Sequence, residues 1–422
     1  MKQEAGFSVV DLTPAGLVDL NGFIARRQPA LGVGKPVCGR VLALEVGRMR
    51  GVVCVCDLLG LTSKDSKSIE RAIAQAAGCP AKNVLLACTH THSGPMSVRL
   101  GTVGRFSPRY VERVAEKLAA AAGEAAEDMR PVGKARVGSA SAEGLGEFRC
   151  ARDEPGRDRW RGQVRALRLE RDGAPPITLV HMGVHPYVLG PQNRFVHPDY
   201  PGETCDVIED RTGARAMFLP GCGADVQPVP SMTDSFEEVQ DYARAVAVRA
   251  AGALDSGRAV ELLPSGVATG GVKVKFGFLP PEARKGGGGE EQAIEALEAA
   301  GARAEANRRQ WLGALKQGRL PKSATVRVCA MRLGPLMLIG LSAELFHDTG
   351  RILADALPEA EVLTISQVGG DVGYLPRPFA YERLTYEVAE AHQWYRTAGA
   401  IEPGSEEAVR GEAVEQARSL LE

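Results

Sequence analysis

The sequence predicts a layered α/β fold, with mixed β-sheets flanked by α-helices in a single large domain over residues 1–422. Short apolar runs, as long as buried strands, alternate along the chain with amphipathic helical stretches, which is typical of layered α/β proteins. Hydrophobic residues make up 44% of the chain and charged residues 24%, an ordinary globular composition. Lys and Arg number 51 against 52 Asp and Glu, so no nucleic-acid partner is expected.

The N-terminal part of the chain begins with strands. Two apolar runs, Val41–Val46 and Gly51–Asp57, are separated by four residues, and this spacing predicts a β-hairpin. The periodicity then predicts a helix from Ser66 to Ala77, a buried strand at Val84–Cys88 and an amphipathic helix from Pro108 to Glu127.

Three further strands are predicted to end in residues with useful chemistry. They cover residues 177–186, 216–225 and 337–344, and they end in His185-Pro186, a glycine loop with Asp225, and Glu344. A helix is predicted between residues 236 and 253. Four glycines at 286–289 precede an Ala-, Glu- and Arg-rich stretch that reads as helix from Glu290 to Gln317. We interpret residues 282–322, approximately, as a helical insertion packed on the surface.

Cysteine usage and the chain start predict a cytoplasmic protein. The nine cysteines are odd in number and scattered, without a CxxC pair, which fits a reducing compartment. The first residues carry no secretory signal, and no apolar run approaches the ~20 residues that span a bilayer. We therefore expect no transmembrane segment; the oligomeric state is not predicted.

The strongest local signal is His90-Thr91-His92, directly after the buried strand at 84–88. Residues two apart on an extended chain point to the same side, so both imidazoles can reach a common metal ion. They can also divide the work, one as a ligand and the other as an acid/base.

Other candidates follow strands in the same way. His185 ends a strand, and Glu344 ends an apolar run, where a buried carboxylate needs a partner or a metal. Two histidines and one glutamate with an open position form a familiar catalytic zinc set. His181 is interpreted as a buried core histidine and His197 as a solvated loop residue. The aspartates Asp57, Asp225 and Asp371 are interpreted as helix caps or turn residues.

The string Asn83–Pro95, with its Thr-His-Thr-His-Ser-Gly-Pro core, closely resembles the signature of the neutral/alkaline (non-lysosomal) ceramidase family. Further stretches match in order over about residues 7–395: Gly183–Pro186, Phe218–Pro228, Gly340–Glu344, and the tyrosine segment with Tyr374, Tyr381 and Tyr386. The resemblance is to the catalytic domain only.

The resemblance implies a hydrolase with one Zn²⁺ per chain that cleaves an N-acyl amide bond with zinc-activated water. By motif position, His90, His185, Glu344 and Tyr374 would be the zinc ligands. His92 would be the acid/base, while Tyr386 and an arginine would stabilise the oxyanion. Arg149 is the first candidate for that arginine, and Arg152 is the second.

Departures from the family pattern widen the expected substrate to a ceramide-like lipid amide or a smaller soluble amide. Ser342-Ala343 replaces the family's Pro-Gly before the glutamate, and the sequence runs only a short way past the tyrosine segment, so we do not expect the family's C-terminal β-sandwich. Two alternatives remain open: a zinc-dependent esterase or lactonase, and a non-catalytic binding protein with a relic metal site.

Overall fold

The fold was analysed in a computed structural model that describes residues 2–16, 18–26, 28–153, 155–279 and 294–422, the side chains of 294–303 excepted. The strands are β1 Gln3–Asp11, β2 Gly32–Val33, β3 Cys38–Val46, β4 Met49–Cys56, β5 Val84–Cys88, β6 Arg130–Ser141, β7 Gly146–Phe148, β8 Gln163–Arg171, β9 Ile177–Met182, β10 Phe195–Val196, β11 Arg215–Pro220, β12 Val226–Pro228, β13 Arg258–Val260, β14 Ser265–Lys275, β15 Ser323–Leu333, β16 Leu336–Leu341, β17 Glu344–Leu345, β18 Glu361–Ser366 and β19 Tyr374–Leu375. The α-helices are Ser63–Ala77, Pro108–Glu127, Asp199–Thr212, Phe236–Asp255, Ile294–Lys316, His347–Ala356, Pro378–Arg383, Tyr386–Ala389, Ala391–Tyr395 and Ser405–Arg418.

Two large mixed sheets form the centre of the molecule. The larger has the strand order β11-β9-β8-β6-β1-β3-β4-β5, with β13 added on β6. Its pairs β4/β5 and β9/β11 are parallel, and the other pairs are antiparallel. The smaller has the order β14-β15-β16-β18, in which only β16/β18 is a parallel pair. The sequence-based prediction of mixed sheets is confirmed.

The two sheets pack face to face, with helices on both outer faces. Side chains from both sheets share one core, which includes Leu42, Leu85, Leu338 and Ile365. The outer face of the larger sheet is covered by the helices Ser63–Ala77, Pro108–Glu127, Asp199–Thr212 and Phe236–Asp255, and that of the smaller sheet by His347–Ala356 and Ser405–Arg418. Strands β4, β5 and β16 are buried on both faces and read in sequence as apolar runs, whereas β6 and β14 are partly exposed and do not.

Local details mostly follow the predicted elements. The hairpin is present as β3 and β4, with Val46 paired to Met49. The first helix begins at Ser63 rather than Ser66, because the Thr62 hydroxyl caps it by accepting from the Asp65 amide at 3.1 Å.

The predicted insertion is described only in part. A helix runs from Ile294 to Lys316, while residues 280–293, including the four glycines, lie outside the described residues. The helix packs on the domain through Trp311, whose indole Nε1 donates to the Thr397 carbonyl at 2.7 Å. Within the described part of the chain, no helix combines the length and the apolar character needed to cross a membrane.

The loops that follow β5, β9, β11, β16 and β18 meet around one small cavity. Its wall includes His90, His185, Gly223, Glu344 and Gln367. Strand ends from both sheets therefore deliver polar side chains to a common point.

Candidate metal centre

Three histidines meet at this point. One ring nitrogen from each of His90, His92 and His185 lies within 4.8 Å of the others. His90 has a positive φ of 69°, uncommon for a residue with a side chain. This backbone is held by hydrogen bonds from the amides of Thr89 and His90 to Cys56 and Leu58. Strain of this kind is characteristic of functional sites.

Two of the three rings are oriented by backbone carbonyls. His90 Nδ1 lies 2.6 Å from the Leu59 oxygen, and His185 Nδ1 lies 3.3 Å from the Gly223 oxygen. When Nδ1–H donates to a carbonyl, the Nε2 of a neutral ring carries a lone pair and can bind a metal.

His92 is held differently. Its Nε2 lies 3.0 Å from His185 Nε2, but its Nδ1 is buried and has no hydrogen-bond partner within the described chain. Its backbone is fixed instead, because the Arg26 guanidinium donates to its carbonyl at 2.8 Å. Gly22 packs against the ring so closely that a Cβ would lie 2.5 Å from it. His92 is thus well placed, but its protonated nitrogen is not fixed.

Glu344 completes the cluster from the smaller sheet. It is 3% exposed, and its Oε2 lies 3.2 Å from His90 Nε2. That approach lacks hydrogen-bond geometry, and Oε2 has no hydrogen-bond partner among the described residues. Its other oxygen, Oε1, accepts from the Tyr395 hydroxyl, which also lies 3.3 Å from Asp371 Oδ2. One carboxylate oxygen is therefore oriented and the other is left facing the histidines.

The titratable groups of the cluster shift one another's pKa values. Burial opposes the charge on His90, but the carboxylates of Glu344 and Asp371 outweigh it and raise the pKa of the imidazole. Burial, followed by the nearby His90, holds the pKa values of His92 and His185 well below their usual value. Burial and Glu344 raise the pKa of Asp371 to about 7. The site therefore concentrates charge around a single pair, His90 and Glu344.

The predicted tyrosine and arginine lie on the same side as Glu344. Tyr374 pairs with Glu344 through the short strands β17 and β19. Arg149 donates to the Tyr374 hydroxyl at 3.0 Å and forms an ion pair with Glu387 at 2.8 Å. The Tyr386 ring lies 6.2 Å from that of Tyr374, and Tyr386 is 40% exposed. A tyrosine and a guanidinium thus border the cluster where a substrate could enter.

Arg152, the second candidate for the arginine, is directed elsewhere. Its guanidinium forms an exposed ion pair with Glu147 at 3.1 Å. Of the two arginines, only Arg149 touches a predicted ligand.

Some residues of the site gave no signal in the sequence. Tyr395 comes from a short helix. Gln367 follows β18, and its side-chain amide nitrogen lies 2.6 Å from His90 Nδ1. Tyr187 packs its ring 5.3 Å from His92 and 4.8 Å from His185. Only Tyr187 was within reach of sequence reasoning, since it lies two residues after His185.

The other predicted residues lie outside the cluster. His181 bonds to the Thr364 carbonyl at 2.9 Å, between the two sheets. The interpretation of His197 as solvated is wrong: it is 2% exposed, with Nε2 3.4 Å from Glu203 and its ring stacked on Phe236. Asp225 accepts from the His347 amide at 2.7 Å, at the start of a helix distant in sequence, but it also forms a buried ion pair with Arg157 at 2.5 Å, so a cap or turn role describes it only in part.

Asp57 and Asp371 depart in part from their predicted cap or turn roles. Asp57 pairs with Arg40 at 3.0 Å, although it also accepts from the Cys38 amide. Asp371 does close a turn by accepting from the Gly373 amide at 2.8 Å. Its second oxygen nevertheless faces Tyr395, so it belongs to the site as well.

Comparison with solved structures identifies the fold. The chain superposes on a neutral ceramidase from Pseudomonas aeruginosa with a TM-score of 0.73 at 17% identity, covering 100% of this chain and 74% of that one. A second structure, described as a ceramidase complexed with C2, gives a TM-score of 0.74 at 17% identity and covers 75% of that chain. No protein-family model and no curated protein matches the sequence. The chain has a neutral ceramidase-like fold, as the sequence resemblance predicted.

Proposed function

We propose that the protein is a zinc-dependent hydrolase that cleaves an N-acyl amide bond, in a ceramide-like lipid or a smaller amide. His90, His185, Glu344 and Tyr374 would hold the ion. One observation carries the proposal: the buried Glu344 Oε2 has no hydrogen-bond partner among the described residues, although His90 Nε2 lies 3.2 Å away. A buried carboxylate oxygen without a hydrogen-bond partner is costly, and a cation between the two atoms would satisfy both.

The donor set suits zinc. Imidazole nitrogens and one carboxylate are common zinc ligands, and both proposed histidine ligands have Nδ1 beside a backbone carbonyl. The Arg149 guanidinium beside the Tyr374 hydroxyl favours a phenolate there, although burial, the largest influence, raises the pKa of Tyr374.

From a bound Zn²⁺ the reaction would gain a Lewis acid and a water of lowered pKa. Burial holds the pKa of His92 low, so its neutral ring, in the tautomer with hydrogen on Nδ1, can accept a proton at Nε2 and return it to the leaving amine. Arg149 and Tyr386 can donate to the oxygen on which negative charge develops. The Glu387 carboxylate orients Arg149 for this role, since it accepts from Nε at 3.0 Å.

A cavity beside the site supports a substrate with a long apolar group. Its volume is about 540 Å³, within the range of roughly 300–1,000 Å³ that is usual for small-molecule sites. More of the wall is apolar than polar, with Ile69, Phe106 and Val111, although charged residues also line it; Asp371 and Tyr395 form part of the wall. Since Tyr395 also bonds to Glu344, one side chain separates the cavity from the proposed metal site.

The test is hydrolysis of matched N-acyl amides, esters and lactones with acyl groups of 2 to 16 carbons. We expect amide cleavage that depends on zinc, with a preference for long acyl groups that Val111→Phe reduces. Cleavage of esters or lactones without amides would favour the esterase or lactonase alternative. No cleavage of any of them by zinc-loaded protein would favour a binding protein with a relic site.

All nine cysteines are unpaired, so we also propose that the activity is cytoplasmic.

A further inference from the structure

A second cavity lies between strands β8 and β9 of the larger sheet and the edge strand β18 of the smaller sheet. Its volume is about 330 Å³, and its walls come from β8, β9, β18 and the helix His347–Ala356. It contains none of the proposed zinc ligands, and three of its lining residues are Arg161, Arg165 and Arg351.

The positive charge of the arginines that line this cavity is not balanced by carboxylates of the cavity wall. Among its described lining residues, Asp355 is the only carboxylate, and it pairs with Arg351 at 3.0 Å. Arg165 is half-buried and has no ion pair within the described chain; it donates only to the Val362 carbonyl and to Gln163. Burial lowers the pKa of Arg165, although Glu361 partly opposes this.

Two further donors face the same space. Arg161 is exposed and makes no hydrogen bond or ion pair with any described residue. His347 accepts from the Trp160 indole at Nδ1 over 3.2 Å, so the proton of its neutral ring is on Nε2. Nε2 has no partner among the described residues and remains available as a donor.

We propose that this cavity, defined by Trp160, Arg161, Arg165 and His347, binds a small oxyanion of the phosphate type. Guanidinium groups bind such anions through charge-assisted hydrogen bonds, often two per group. An anion would also give Arg165 an ion pair, which it lacks among the described residues. The phosphate can belong to a free molecule or to the headgroup of an acidic lipid.

The site adjoins the loops that carry His185. Gly183 and Cys222 line the cavity, and Gly223, the next residue after Cys222, supplies the carbonyl that faces His185 Nδ1. Binding therefore takes place directly behind the proposed metal site without using its ligands. The proposal does not depend on the proposed hydrolase activity.

The test uses the full-length protein and isothermal titration calorimetry with inorganic phosphate at constant ionic strength. We expect saturable one-to-one binding that weakens at least tenfold in Arg165→Gln and in Arg161→Gln. Arg168→Gln is the matched control, because Arg168 lies on the same strand but pairs with Glu170 outside the cavity. Melting temperatures show whether each variant is folded.

A second arm separates the two sources of phosphate. Phosphatidylcholine vesicles with and without 20% phosphatidic acid are sedimented with each variant. Binding to free phosphate that depends on Arg165 supports a soluble ligand, whereas Arg165-dependent binding to acidic vesicles alone supports a lipid headgroup. The proposal is overturned if the protein binds neither free phosphate nor acidic vesicles. It is also overturned if both Arg165→Gln and Arg161→Gln retain the binding.

Discussion

The two sides of the candidate metal centre are built in different ways. The histidine side, His90, His92 and His185, follows strands of the larger sheet, and two of its rings are oriented by backbone carbonyls. The carboxylate–tyrosine side, Glu344, Asp371, Tyr374 and Tyr395, comes from the short strands β17 and β19, from the loop before β19 and from a short helix. There, side chains orient one another, as Tyr395 does for Glu344. The first side depends on backbone carbonyls of neighbouring loops, and the second depends on contacts between side chains.

Removing a ring from the histidine side should have the largest effect. We expect His185→Ala to lose the metal ion and to lower kcat/KM by about 10³-fold, since the metal contributes several kcal/mol to catalysis. His181→Ala is the control, because His181 lies on β9, just before the loop that carries His185, and among the described residues its ring bonds only to the Thr364 carbonyl. Equal losses of activity and metal in both variants would show that folding, not ligation, is affected.

A smaller effect is expected where the site meets solvent. Tyr386→Phe removes one proposed donor to the oxyanion, so kcat should fall by about 10²-fold with the metal content unchanged. Because Tyr386 is 40% exposed, stability should not change. An unchanged kcat would remove Tyr386 from the mechanism.

The carboxylate–tyrosine side can be tested through its side-chain contact. Tyr395→Phe removes the donor to Glu344 Oε1, and we expect a metal affinity about tenfold weaker, as when a residue that orients a ligand is lost. Competition with a chelator measures this affinity. Tyr381→Phe, which loses only a bond to the Ile401 carbonyl, should leave it unchanged. Equal affinities in the two variants would mean that Tyr395 does not position Glu344.

The smallest effect concerns the support behind the histidine side. The His197 carbonyl accepts from the Thr91 hydroxyl, and the His197 ring lies beside Glu203, which pairs with Lys35 at 2.7 Å. Burial opposes ionisation of Glu203, but His197 and Lys35 outweigh it and lower its pKa.

A carboxyl group whose pKa is lower in the folded than in the unfolded state stabilises the fold at pH values above its unfolded pKa. This stabilisation is lost as the pH falls through its folded pKa. Lys35→Met should therefore lower the free energy of unfolding by up to about 1 kcal/mol at pH 7, and by less at pH 4. Denaturant titration at both pH values measures this difference. A larger loss of unfolding free energy in Lys35→Met at pH 4 than at pH 7 would contradict this prediction.

The same contrast explains what the sequence could predict. The histidine side could be predicted because His90 and His92 are two residues apart. This pair and His185 also each follow an apolar run that marks a buried strand. Both features are local, and the structure brings all three histidines together.

The carboxylate–tyrosine side was harder to predict from the sequence. Glu344 was recognisable at a strand end, and Tyr374 came only from the family resemblance. Tyr395 lies 51 residues from the carboxylate it contacts, so no local pattern connects them. His197 was misjudged because its Pro- and Gly-rich surroundings resemble a surface loop, while Phe236 and Glu203 enclose it.

The most direct test of the account is the metal content of the protein, measured by inductively coupled plasma mass spectrometry before and after chelation and zinc addition. We predict close to one zinc per chain, its loss in His90→Ala and Glu344→Gln, and amide hydrolysis that disappears on chelation and returns with zinc. Absence of metal even after zinc is offered, or full hydrolysis by the chelated protein, would contradict a metal centre at His90, His185 and Glu344.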